Sequence, residues 1–181
     1  MVIVTSLLVF FLLAKQVNIL RWGFEEWRKA YAYYQAQNNT KALEKYEQIE
    51  PILNTNGDYL MNYGKALSVM GRHKEAIGIL EHGQKYLNTT IVQTALGDSY
   101  LAQKSYHKAE ECYSQASYMI PHRFYPKYLL AKLFEESGQK ERAKAMASEI
   151  LGRRVKINSV AIEEMKSEMR DLLKRLENST Q

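Results

Sequence analysis

Between residues 24 and 156 apolar positions recur with helical rather than alternating spacing, and a small residue marks the same place in each cycle. Ala42, Ala76, Ala109 and Ala143 stand at spacings of 34, 33 and 34 residues. Twelve residues before each comes Ala30, Gly64, Gly97 or Ala131; nine before it Tyr33, Leu67, Tyr100 or Phe134; four after it Tyr46, Leu80, Tyr113 or Ala147. The pattern predicts pairs of short antiparallel helices, in which the small residue lets a neighbouring backbone approach and the large one fills the space beyond. One such hairpin cannot bury its own apolar face, so the copies must stack.

Punctuation between the runs supports the division. Asn38-Asn39-Thr40, Gly71-Arg72 and Gly138-Gln139 read as turns inside the pairs, with Thr40 placed to cap the helix through Ala42. Asp58 suits the N-cap of the helix through Gly64, and Asn88-Thr89-Thr90 opens the third pair. Pro51 is expected to end or kink its helix early, Pro121 to stop another, and Pro126 to sit in a first turn.

This frame resembles the tetratricopeptide repeat (TPR), which implies an all-α solenoid of about four helical hairpins, residues 23–56, 57–89, 90–123 and 124–156. In TPR stacks the first helix of each repeat lines the concave face. By that register Tyr31, Tyr34, Met61, Lys65, Val69, Thr94, Asp98, Leu101, Tyr125, Tyr128 and Lys132 line a binding groove for a peptide or a helix, with Phe24 and Trp27 either beside them or packed against the next repeat. TPR clamps for a terminal carboxylate carry Asn where this chain has Tyr31, Lys65, Asp98 and Lys132, so that specificity is not expected.

The two ends depart from the repeat. Met1 to Ala14 carry no charge, and as a helix they reach roughly 21 Å against a hydrocarbon layer of about 30 Å. Continuing to Trp22 supplies the missing length, with Lys15 able to snorkel and Trp22 suited to the headgroup level, so residues 1–22 are expected to cross a membrane. A secretory signal fits less well, because no Lys or Arg precedes the apolar run. At the other end residues 157–178 predict a helix with Ile162, Met165, Met169, Leu172, Leu173 and Leu176 on one face, started by Asn158 or Ser159. It is expected to lid the open end of the stack.

Composition narrows the chemistry. Charged residues make up 25% and hydrophobic ones 46%, as in a folded protein, and the net charge of +5 is spread along the helices without a basic block, which argues against nucleic acid as a partner. The single cysteine, Cys112, excludes an internal disulfide. His73, His82, His107 and His122 have no metal-ligand spacing, no phosphate-cradling glycine loop occurs, and Glu110-Glu111 and Glu135-Glu136 are neighbours that point in different directions. No metal, no cofactor and no catalytic residue are expected, and the chain does not read as an enzyme.

A narrower resemblance rests on Glu26-Trp27-Arg28-Lys29-Ala30, Asn62-Tyr63-Gly64-Lys65-Ala66-Leu67-Ser68, Lys108-Ala109-Glu110-Glu111-Cys112-Tyr113, Tyr125-Pro126-Lys127-Tyr128-Leu129-Leu130-Ala131 and Ser159-Val160-Ala161-Ile162-Glu163-Glu164-Met165. This succession is similar to the TPR tail that follows the last membrane span of Bacteroidetes O-antigen ligase or polymerase family proteins. The resemblance implies a single-pass protein of the bacterial inner membrane with its repeats in the periplasm. Lys15, Arg21, Arg28 and Lys29, taken alone, put the repeats on the cytoplasmic side. The multi-span part of that family is not in this sequence, so no ligase chemistry carries over to any residue. Three readings follow: a membrane-anchored scaffold for a protein partner in surface-polysaccharide assembly, a glycan-contacting but non-catalytic domain of a ligase, or a TPR adaptor on the cytoplasmic side.

Overall fold

The computed structural model describes residues 2–155 and 159–178, with side chains from residue 5 onward. Among these residues every regular element is a helix. They fall into two compact units divided after Asn88.

The first unit holds α1 (Val2–Gln35), α2 (Asn39–Leu53), α3 (Gly57–Val69) and α4 (His73–Gly83). The apolar N-terminal segment and the first helix of the first repeat are one unbroken 34-residue helix, α1. By length and composition its N-terminal part fits a membrane span or a signal segment. Leu7, Leu8, Val9, Phe10, Phe11, Leu12 and Leu13 are all more than half exposed, so no part of the fold covers them. Beyond Gly23 the same helix turns its buried residues, Ala30 among them, onto α2.

The core of this unit is built on aromatic rings. Tyr46 stacks on Tyr63 at 5.6 Å, Tyr59 lies against both, and the Tyr59 hydroxyl donates a 2.6 Å hydrogen bond to the Tyr46 carbonyl. Burial pushes the Tyr63 phenol up to about 12 and raises Tyr46 and Tyr59 further, which keeps these rings neutral. Gly64 is buried because Leu80 fills the place of its missing side chain, as the repeat frame requires.

The second unit holds α5 (Thr90–Ala102), α6 (Tyr106–Met119), α7 (Tyr125–Glu136), α8 (Lys140–Gly152) and α9 (Val160–Asn178). Ala109, Tyr113, Ala116, Ala131, Leu133, Ala143, Ala147 and Ile150 are fully buried between α5 and α8. The α9 helix packs on α8 and α7 through Met169, Leu172 and Leu176, while Ile162, Met165 and Leu173 are half-buried at the edge of the seam. Arg175 clamps Glu135 of α7 through both carboxylate oxygens, and Lys166 donates to the Arg153 carbonyl at 3.1 Å.

The turn inside each pair has one residue with left-handed backbone, at Gln37 (φ 58°), Gly71 (φ 73°), Lys104 (φ 56°) and Gly138 (φ 75°). These four positions repeat with the helices, although glycine occupies only two of them.

Several local expectations need correction. The first turn lies one residue or more earlier than expected, so Asn38 rather than Thr40 caps α2, accepting from the Lys41 amide. Asn56 rather than Asp58 caps α3, accepting from the Tyr59 amide at 2.9 Å, and Asp58 sits in the first turn. Pro51 does not end α2, which runs on to Leu53; the ring denies the Glu47 carbonyl its amide donor, and the buried side chains of Ile49 and Leu53 hold the last turn in place. His73 is the first residue of α4 and His107 the second of α6. Of the two expected starters of α9, Ser159 accepts from the Ile162 amide at 3.3 Å, whereas Asn158, with residues 156–157, lies outside the described residues, as do Met1 and residues 179–181.

Candidate binding surface

The residues expected in a groove come from α1 and α3 in the first unit and from α5 and α7 in the second. In the first unit Phe24, Trp27, Arg28, Tyr31, Met61 and Asn62 line a shallow recess. Phe24 and Tyr31 are 45% and 41% exposed, enough to present a ring face to a ligand. Trp27 behaves differently: it is half-buried, with its ring set edge-on to Tyr59 at 6.1 Å, and so joins this recess to the core. Tyr34 is half-buried and its phenol is raised by burial and by Tyr31. Lys65 is half-buried and Val69 is exposed at the end of α3; neither lines the recess.

One carboxylate in this unit is already engaged. Glu26 is buried under the stems of Lys29 and Lys45, each of which holds one of its oxygens at 2.6 Å. Hydrogen bonds from the two ammonium groups hold its carboxyl below the usual glutamate range, against the desolvation that raises it. Because the cover is two lysine side chains rather than depth in the core, solvent remains close to this triad.

In the second unit Asp98, Tyr113, Tyr125, Tyr128, Lys132 and Glu168 are drawn together by contacts within and between helices. The Tyr113 hydroxyl, from α6, donates to Asp98 at 2.6 Å. Asp98 is exposed, yet the groups packed near it remove enough water to raise its pKa, in opposition to the Tyr113 hydrogen bond and the Lys132 charge. Tyr125 and Tyr128 stack at 6.2 Å with 23° between their planes, and Tyr125 is 45% exposed. Their phenols are both raised, first by burial.

Tyr128 is less available than its register position suggests. Only 8% of it is exposed, and its hydroxyl donates to Glu168 of α9 at 2.6 Å while accepting from Lys132 at 3.2 Å. That second hydrogen bond is the main cause of the raised Lys132 pKa. The outer face of this pair therefore consists of Tyr125 and half of Lys132. Thr94 is half-buried with its hydroxyl turned back to the Ile91 carbonyl at 3.1 Å, and Leu101 is half-buried at the end of the same helix.

Sequence reasoning missed two contributors. Tyr113 occupies a packing position of the repeat, and nothing in that pattern shows that its hydroxyl reaches Asp98. Glu168 comes from outside the repeats altogether. Among the described residues no group of His, Cys, Asp or Glu side chains is placed to hold a metal ion, and Cys112 is half-buried.

Two family models match. One describes YpiA-like C-terminal tetratricopeptide repeats and covers residues 24–90; the other, the tetratricopeptide repeat, covers residues 92–123. No curated protein matches the chain. Among solved structures, MamA of AMB-1 aligns with a TM-score of 0.63 at 18% identity, over 86% of this chain and 85% of its own. PilW, described as a widely conserved type IV pilus biogenesis factor, aligns with a TM-score of 0.70 at 18% identity, over 84% of this chain and 70% of its own. A tetratricopeptide repeat protein from Parabacteroides merdae aligns with a TM-score of 0.64 at 18% identity, over 87% of this chain and 64% of its own. At these identities the likeness speaks to the fold. Repeated helical hairpins with small residues at the crossings, together with both family matches, make this chain a tetratricopeptide-repeat protein.

Proposed function

We propose that this protein is a membrane-anchored, non-enzymatic scaffold that holds a protein partner on the exposed faces of its first helices. The observation that carries the reading is the contrast within α1: its N-terminal part exposes apolar residues on all sides, whereas its C-terminal part is a repeat helix exposing Phe24 and Tyr31. The first property suits lipid and the second a partner. A TPR fold is by itself the frame of a protein-interaction module, and the comparisons support that much.

The setting rests on the resemblance to the tail of O-antigen ligase or polymerase proteins. That resemblance implies repeats in the periplasm beside surface-polysaccharide assembly. A reporter active only in the periplasm, fused after Gln181 in the native host, is expected to be active; activity only of a cytoplasmic reporter would reject this setting and leave an adaptor on the inner leaflet. For the scaffold itself, affinity capture of the full chain in detergent is expected to retain a defined envelope protein that the Tyr31→Ala/Tyr125→Ala variant loses.

A second reading has its own support. Tyr125, 45% exposed and backed by the buried ring of Tyr128, offers one aromatic face beside Lys132 of the kind that a sugar ring packs on. Binding of purified cell-envelope glycan to the full chain, abolished by Tyr125→Ala, would favour direct glycan contact over recruitment of a protein.

A further inference from the structure

In the first unit, α1 ties the position of the fold to the position of its apolar segment. The helix is unbroken from Val2 to Gln35, so whatever holds its first half holds the repeat helix on the same axis. Where α1 enters the fold, Gly23 packs against Ile52 and Leu53, the last turn of α2. From there the contacts run sideways at the same level. Asn54 offers its carbonyl to His82 Nε2 at 2.7 Å, the His82 ring meets Tyr86 edge-on at 5.3 Å, and Gly57 packs beneath Leu87. The end of α2, the start of α3 and the end of α4 thus form one edge at the height of Gly23. A span ending near Leu20 lies about 4.5 Å below it, three residues of helical rise.

We propose that this edge of the first unit rests on the headgroup layer of the bilayer that α1 crosses, making a second contact with the membrane beside the span. The inference rests on the membrane reading of α1 given above. The side chains at the edge suit an interface. Trp22 and Tyr86 are 39% and 49% exposed, and each joins an aromatic body to a polar atom, the combination favoured at headgroup depth. Asn54, Thr55 and Asn56 supply uncharged hydrogen-bonding groups between them. Arg21 and Lys85 are outnumbered by Glu25, Glu50, Asp58 and Glu81 on the same helix ends, and Arg21 is already paired with Glu25 at 3.3 Å. With no excess of basic charge along the edge, the layer that fits is zwitterionic, and added anionic lipid does not strengthen the contact.

Nitroxide labels on the full chain, reconstituted in phosphatidylcholine vesicles, test this. With Cys112→Ser as background, single cysteines would be placed by Leu12→Cys in the span, Tyr86→Cys and, as an independent probe of the edge, Lys85→Cys, and Lys74→Cys at the opposite end of α4. Collision with oxygen and with a water-soluble nickel complex reports depth. The expected order is Leu12 deep in hydrocarbon, positions 85 and 86 several-fold less open to nickel than position 74, and no deeper placement when phosphatidylglycerol is added. A deep Leu12 label with positions 85 and 86 as open to nickel as position 74 would overturn the inference and leave the span intact. A Leu12 label open to nickel would overturn both. Protection of positions 85 and 86 only in the presence of phosphatidylglycerol would overturn the zwitterionic assignment.

Discussion

The ring of Tyr113 fills the space that a side chain at position 97 would need, and Gly97 is buried beneath it. Leu80 bears the same relation to Gly64 in the first unit. A methyl group at 97 would push the fully buried Tyr113 away from Asp98, to which its hydroxyl is bonded. Gly97→Ala is therefore expected to cost about 1–3 kcal/mol through overpacking, despite alanine's better helix propensity. Urea unfolding of the full chain in detergent checks this; an unchanged or higher midpoint would show that the hairpin can spread.

Lys104 presents the opposite case. It sits at the left-handed turn position that glycine fills at 71 and 138. Its side chain is exposed, so replacement costs no packing. Lys104→Gly removes backbone strain of roughly 1–2 kcal/mol while adding unfolded-state entropy, for a net gain of up to about 1 kcal/mol. Gln37→Gly should behave alike in the first unit. A fall in melting temperature for either variant would contradict the shared turn geometry.

The Glu26 triad gives a signature in pH. Because its folded pKa lies below the unfolded value, the triad adds stability above the ordinary glutamate pKa and loses it as pH falls through the folded value. Glu26→Gln is expected to lower the melting temperature near neutral pH, and the deficit should vanish once wild-type Glu26 is protonated. A deficit of equal size at acid pH would mean that shape, not charge, is what the position supplies.

The seam of α9 is tested at Leu172, fully buried against the repeats. Leu172→Ala should cost about 2–5 kcal/mol, the range for a large core deletion. Glu168→Gln should cost much less, because glutamine still accepts the Tyr128 hydrogen bond. Equal effects of the two changes, measured by denaturant midpoint, would contradict a packed lid.

Much of the helical fold was legible because the small residues recur where backbones cross: Ala30, Gly64, Gly97 and Ala131 are all buried where the pattern puts them. Helix starts were less legible. A cap is set by where the backbone leaves the helix, so Asn38 and Asn56 serve although Thr40 and Asp58 have suitable side chains. At the candidate surface the register brought Tyr125, Tyr128, Asp98 and Lys132 into one neighbourhood. It did not reveal that Tyr128 is covered, since that depends on how α9 crosses α7 and carries Glu168 to the Tyr128 hydroxyl. Helical periodicity shows that α9 has a buried face; it says nothing about which residue of another helix that face meets.

The most direct measurement of the scaffold claim is site-specific photo-crosslinking in the native host. A photoreactive phenylalanine would replace Tyr31 or Tyr125 on the first helices and, as a control, Tyr118, which is 81% exposed on the second helix of its repeat. The account predicts discrete protein adducts from positions 31 and 125 and none of the same identity from 118. Adducts from 118 alone, with positions 31 and 125 silent, would place binding on the other side of the repeats and contradict the account.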